Sequence, residues 1–144
     1  MPPELVEFLA GGRLVVAATV DGDGLPYTLV MNSAVALDAR TIRFALDRRT
    51  HTLKNLESHP AMMFEIVGDG FIFGVRGVAR VLRDQMEHAP TPSALVEVSV
   101  ELVKRDLPPG VQVEGPRFEW GPLGQYMSPI EPAMFEELRT YKTG

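Results

Sequence analysis

The chain contains no cysteine, which excludes disulfides, thiolate nucleophiles and every zinc or iron–sulfur site built on sulfur ligands. Histidine is scarce. His51, His59 and His88 are not paired at the helical or hairpin spacing a metal site uses, so no metal is expected. No segment reaches the roughly 20 apolar residues of a membrane helix, and Met1-Pro2-Pro3-Glu4 lacks the basic region and apolar run of a secretory leader. The expectation is a soluble, cytoplasmic protein. Basic residues are also in deficit: a net charge of −5 and a pI near 5.2 leave no broad cationic footprint, so no nucleic-acid partner is expected. Any anion site must be local.

What is present is enough for one domain. The 144 residues are 45% hydrophobic, sufficient to bury a core without staples. Glu4 to Leu9 carries apolar residues at Leu5, Phe8 and Leu9 and stops at Gly11-Gly12, the pattern of a short amphipathic helix. Leu14 to Val20 is rich in β-branched residues and runs into Asp21-Gly22-Asp23-Gly24, a hairpin turn, after which Leu25 to Leu37 reads as a returning strand. Thr41 to Leu46 alternates with Ile42, Phe44 and Leu46 on one face. Thr52 to Ser58 is the one internal helix, ended by His59-Pro60.

The β pattern resumes at Met62 to Val67, turns at Gly68-Asp69-Gly70 and returns along Phe71 to Leu82. Gly74 and Gly77 in that arm mark bends, bulges or close backbone approach. Ala94 to Val103 is a long strand with one buried face, closed by Pro108-Pro109-Gly110. About six antiparallel strands with hairpin links predict a closed or partly closed barrel rather than a doubly wound sheet. Gly115 to Met127 is a glycine-rich aromatic arm containing Trp120 and Tyr126, and Pro132 to Tyr141 reads as a final helix. Met62, Met63, Met127 and Met134 read as fillers of irregular core gaps.

The segment Arg48-Arg49-Thr50-His51-Thr52-Leu53-Lys54-Asn55-Leu56 places cations and small hydroxyls where a strand gives way to a helix. The first N–H groups of a helix are unpaired and its dipole presents positive charge there, which suits a phosphate. Thr50 also reads as a plain N-cap and Lys54 as a solvated surface residue. Asn32 and Ser33 read either as polar side chains on a strand facing water or as hydrogen-bonding groups at the edge of a ligand ring.

The order of these features resembles a known family. The first helix, the run Val15-Val16-Ala17-Ala18-Thr19-Val20-Asp21-Gly22-Asp23-Gly24-Leu25-Pro26, the strand with Met31-Asn32-Ser33, then Thr41 to Ala45, the Thr50–Leu56 helix and His59-Pro60 resemble the FMN-binding split-barrel family. This is the group related to pyridoxamine 5′-phosphate oxidase, and its small FMN-binding-protein branch in particular. The resemblance covers roughly the first two-thirds of the chain.

It implies a mainly β fold, a six-stranded antiparallel split barrel of Greek-key type, as a single domain over residues 1–144. The core would span about 13–107, with 108–144 as C-terminal arm and helix. It implies a homodimer with FMN at the subunit interface and a small-molecule electron donor or acceptor. The phosphate would meet Arg48, Thr50, His51, Thr52, Lys54 and Asn55. The ring would lie along Met31, Asn32 and Ser33, with Phe44, Ala45 and Leu46 behind it. Trp120 and Tyr126 read as core or interface packing, or Trp120 as a lid over the partner's flavin. In the commonest family pattern a lysine stands where this chain has Thr52, and the substrate-binding C-terminal segment of the oxidase has no counterpart. The resemblance therefore points to a flavin-dependent oxidoreductase or electron-transfer protein related to that oxidase, without being that enzyme. The other readings are a non-catalytic split-barrel protein that binds FMN, haem or another ligand, and an F420-dependent reductase, whose longer acidic tail asks for more cations. No catalytic acid or base is assigned.

Overall fold

A computed structural model describes residues 1–143. Its elements are α1 (Pro3–Phe8), β1 (Val15–Val20), β2 (Pro26–Met31), β3 (Val35–Asp38), β4 (Thr41–Asp47), α2 (His51–Ser58), β5 (Ala61–Gly68), β6 (Phe71–Arg83), β7 (Ser93–Arg105), a 3-10 turn at Pro122–Met127 and α3 (Glu131–Thr140). The fold is mainly β, with every strand pair antiparallel in one sheet of order β2-β1-β5-β6-β7-β4-β3.

The strand count corrects the expectation of six in a barrel. Among the described residues there are seven, in a sheet that does not close by backbone pairing. The stretch expected as one strand over Leu25–Leu37 is two, because the chain leaves the ladder at Asn32-Ser33-Ala34. Ser33 causes that break by spending its hydroxyl across the gap. Its Oγ accepts from the Ala45 N–H and donates to the Ala45 carbonyl, both at 3.1 Å. Residues after β2 thus touch β4, although these strands sit far apart in sheet order, so the sheet curls until its two sides meet at the split.

Alternation sorts each strand into an inner and an outer face. Phe44, Phe64, Phe73, Ile42, Ile66, Val75 and Met62 fill the main core, with Phe44 and Phe64 edge to face at 6.1 Å. A second, smaller core forms where Met134 and Leu138 of α3 cover Val35 and Leu95. Gly77 marks a bulge between β6 and β7, and a Cβ there would lie 2.3 Å from the Ser99 carbonyl oxygen, so only glycine lets the backbones approach.

Arg43 ties α3 to the sheet. Only 8% exposed, it pairs with Glu97 at 2.9 Å and donates to the carbonyls of Leu138 and Tyr141 at 3.1 and 2.8 Å. One buried guanidinium thus satisfies two carbonyls at the end of α3, which otherwise lack partners. None of the helices among the described residues is long and apolar enough to cross a membrane.

A cavity at the split of the sheet

The break after β2 opens a cavity of about 440 Å³ between β2, β4, the start of α2, the loop before β7 and the C-terminal arm. That is within the range of small-molecule and cofactor pockets. Of the residues singled out from sequence, Met31, Asn32, Ser33, Ala45, Leu46, Thr50, His51, Thr52 and Trp120 all line it. Three segments far apart in the chain, 31–33, 45–52 and Trp120, are therefore brought together.

The corner at α2 is built from the turn that precedes it. Asp47 accepts from the Arg49 backbone at 2.9 Å and side chain at 2.7 and 3.0 Å, which fixes the turn and folds Arg49 back. The Arg49 guanidinium holds the Asp47 carboxyl down at about 2. Thr50 donates its hydroxyl to the Asp47 carbonyl at 2.8 Å and accepts from Leu53 N–H at 3.4 Å, a long N-cap bond. That bond caps Leu53, and the N–H groups of His51 and Thr52 are the ones a helix start leaves without intrahelical partners.

Thr52 is the most informative side chain there. It is 2% exposed and lines the cavity. No buried side-chain oxygen or nitrogen among the described residues is both sealed from solvent and unpaired, so this hydroxyl reaches the cavity surface. Beside it the rings of Tyr27 and His51 stack at 5.2 Å and 31°.

Three expected ligand residues lie outside the lining. Arg48 reaches away to Gln85 Oε1 at 3.1 Å. Asn55, 2% exposed, turns into the core and donates to Thr19 Oγ1 at 3.1 Å, so it locks α2 onto β1. Lys54 is on the solvent side of α2. No lysine or arginine contributes to the lining among the described residues.

The arm forms a wall that sequence reasoning placed elsewhere. Trp120, Met127, Glu131 and Met134 line the cavity of their own chain, and Trp120 Nε1 donates to Glu131 Oε1. Met127 and Met134 therefore do not merely fill core gaps. Tyr27, Leu29, Pro90, Thr91 and Ser93 complete the walls. Tyr27 could have been found from sequence, because it shares period-2 spacing with Leu29 and Met31. The Pro90–Ser93 loop carries no comparable signal, since only the β4–β7 pairing brings it here.

The sequence profile of the family described as pyridoxamine 5′-phosphate oxidase matches residues 1–115. No curated protein matches the chain. Among solved structures, a Lactobacillus delbrueckii protein described as a candidate pyridoxamine 5′-phosphate oxidase is 20% identical, with TM-score 0.62 over 72% of this chain and 93% of its own. An F420 reductase is 17% identical, with TM-score 0.61 over 72% and 98%. The haem storage protein HutZ of Vibrio cholerae is 16% identical, with TM-score 0.57 over 72% and 92%. At these identities the likeness is one of fold.

Proposed function

The chain belongs to the pyridoxamine 5′-phosphate oxidase family, and on that premise we propose that it is an FMN-binding flavoprotein acting as an oxidoreductase or electron-transfer protein. The similar structures are named for different ligands, so the fold does not choose among them and the cavity must. The observation that carries the reading is the Thr52 hydroxyl, which reaches the cavity surface at the N-terminal turn of α2. A hydroxyl so placed is open to a hydrogen bond from a ligand in the cavity. A phosphate accepts from the hydroxyl and from the helix N–H groups together.

The remaining walls suit a flat ring. Leu29, Met31, Ala45, Leu46 and Met134 offer apolar surface, while Asn32 supplies an amide at the edge. Ser33 shapes this wall through its bonds to Ala45. A bound flavin would supply the redox chemistry, and the protein would tune it through hydrogen bonds and charge.

Thr52→Val keeps the shape of the side chain and removes the hydroxyl. FMN affinity is expected to fall by about 1–3 kcal/mol with the melting temperature of the flavin-free protein little changed, since the hydroxyl faces the cavity rather than a protein partner. Titration of flavin-free protein, read by the fluorescence of the single tryptophan, Trp120, checks this. Unchanged FMN affinity in Thr52→Val would remove the phosphate from this corner.

A homodimer is part of the proposal. Val16, Val30, Val78 and Leu102 are 44, 60, 39 and 39% exposed. The register places all four on the outward face of the sheet. A second copy would cover this apolar face. Sedimentation is expected to give twice the chain mass; a monomer at micromolar concentration would reject the dimer.

A further inference from the structure

A second cavity, of about 510 Å³, lies where the loop after α1, the β5–β6 turn and the C-terminal arm meet, and it shares no lining residue with the first. Arg13 lines it from the first of these segments and Arg117 from the last. Both side chains are exposed, and among the described residues neither is paired with a carboxylate. Arg43, Arg49, Arg80, Arg83 and Arg105 all are. Two uncommitted guanidiniums thus come from segments about 100 residues apart in the chain to one concave surface.

Each is positioned without spending its donors on an anion. The Arg13 guanidinium lies over the Phe8 ring, 4.6 Å from its centroid, and Phe8 is itself held edge to face by Phe71 at 5.2 Å. A stack on an aromatic face leaves the N–H groups at the guanidinium edge free to bond. The loop is fixed one residue earlier, where the Gly12 N–H donates to the Asn32 carbonyl at 2.9 Å. The arm that carries Arg117 is fastened to the β5–β6 turn. There the Gly70 N–H donates to the Val113 carbonyl at 2.9 Å, and the Gly115 N–H donates to Asp69 Oδ1 at 2.8 Å. A Cβ at residue 115 would sit 2.9 Å from the Val67 carbonyl oxygen, so glycine is what lets the arm come this close.

The charge, size and apolar surface of the cavity together select a ligand class. Its two carboxylates are those of Asp69, which already accepts from Gly115, and Glu119. Two guanidiniums against one uncommitted carboxylate favour an anion, and the guanidinium fork matches a carboxylate in two parallel hydrogen bonds. The volume is of the size that takes an organic molecule, and the rings of Phe8 and Phe118 in the lining need carbon against them. Inorganic phosphate offers none.

We propose that this cavity binds a small aliphatic dicarboxylate, with one carboxylate on Arg13, the other on Arg117, and the carbon chain against Phe8 and Phe118. The site is separate from the flavin cavity and does not depend on what occupies that cavity.

The test is calorimetric titration of the full chain with glutarate, set against butyrate, which has a single carboxylate, and against inorganic phosphate, all at one ionic strength. Glutarate is expected to bind about tenfold or more tighter than butyrate, from the second charge-assisted contact. Arg13→Met keeps an apolar stem over Phe8 and removes the fork, and Arg117→Gln removes the charge on the arm. Each is expected to lower glutarate affinity about tenfold or more, toward the butyrate value.

Glutarate that binds no tighter than butyrate, fails to bind the wild type, or binds Arg13→Met and Arg117→Gln as it binds the wild type would overturn the proposal. Phosphate that binds as tightly as glutarate would overturn the dicarboxylate as its ligand. Should Arg13→Met fail to fold, Arg117→Gln, on the exposed arm, decides alone between the same outcomes. FMN binding stands or falls separately in every case.

Discussion

Arg43→Ala is expected to destabilise the protein by about 3–5 kcal/mol and to weaken flavin binding in whatever remains folded. The side chain lies at the junction of β4, β7 and α3, where it meets Glu97 and the carbonyls of Leu138 and Tyr141. Removing it strands a carboxylate whose other partner, Arg80, is at 3.4 Å and largely solvated, and it leaves two helix-end carbonyls unmet. Breaking one side of a buried pair costs more than the pair is worth, because the remaining charge is desolvated without compensation.

The second effect of Arg43→Ala is local to the site. α3 brings Glu131 and Met134 to the cavity, and Glu131 holds Trp120. Loosening α3 therefore releases one wall. Arg43→Met separates packing from charge: if Glu97 is replaced by Gln at the same time, much of the lost stability should return. Chemical denaturation followed by circular dichroism measures the first effect, and FMN titration of the folded fraction measures the second. An Arg43→Ala protein with wild-type stability and wild-type FMN affinity would show that α3 does not depend on this contact.

Phe44→Ala, one residue along the same strand, is expected to cost a similar 3–5 kcal/mol by a different route. Phe44 is fully buried on the opposite face of β4, edge to face with Phe64. Deleting the ring leaves a cavity among rigid aromatic and β-branched neighbours that relax only in part. The C-terminal clamp is untouched. FMN affinity per folded molecule should therefore stay near the wild-type value, in contrast to Arg43→Ala. Addition of FMN should restore part of the lost melting temperature, because a ligand that binds only the native state stabilises it by mass action. A loss under about 1 kcal/mol would mean that the core collapses around the gap.

These neighbours show what was legible in the sequence. The alternation Ile42-Phe44-Leu46 disclosed the strand and its inward face. It gave no sign that Arg43 would be buried, because that depends on α3, about 90 residues later, returning to cover the outer face. The single strand expected over Leu25–Leu37 failed for a related reason. Asn32-Ser33-Ala34 continues an unbroken run of strand-compatible residues, and the break arises only when Ser33 bonds to Ala45 across the split.

The site divides along the same line. Thr50, His51 and Thr52 line the cavity, and the sequence drew attention to them because helix starts have local chemistry, a cap followed by unpaired N–H groups. Arg48, Lys54 and Asn55 sit in the same segment, yet they point to Gln85, to solvent and to Thr19. Side-chain direction at a turn depends on neighbours that a linear reading does not see. Trp120 was expected as a lid over the partner's flavin; it lines the cavity of its own chain, where its indole N–H donates to Glu131.

The most direct measurement is to denature the freshly purified protein and weigh the small molecule it releases, after recording the visible spectrum of the native state. A yellow protein that releases a flavin bearing a 5′-phosphate, as FMN or as FAD, is the expected result. A colourless protein that takes up neither FMN nor FAD when they are added, with Trp120 fluorescence unchanged by both, would contradict it.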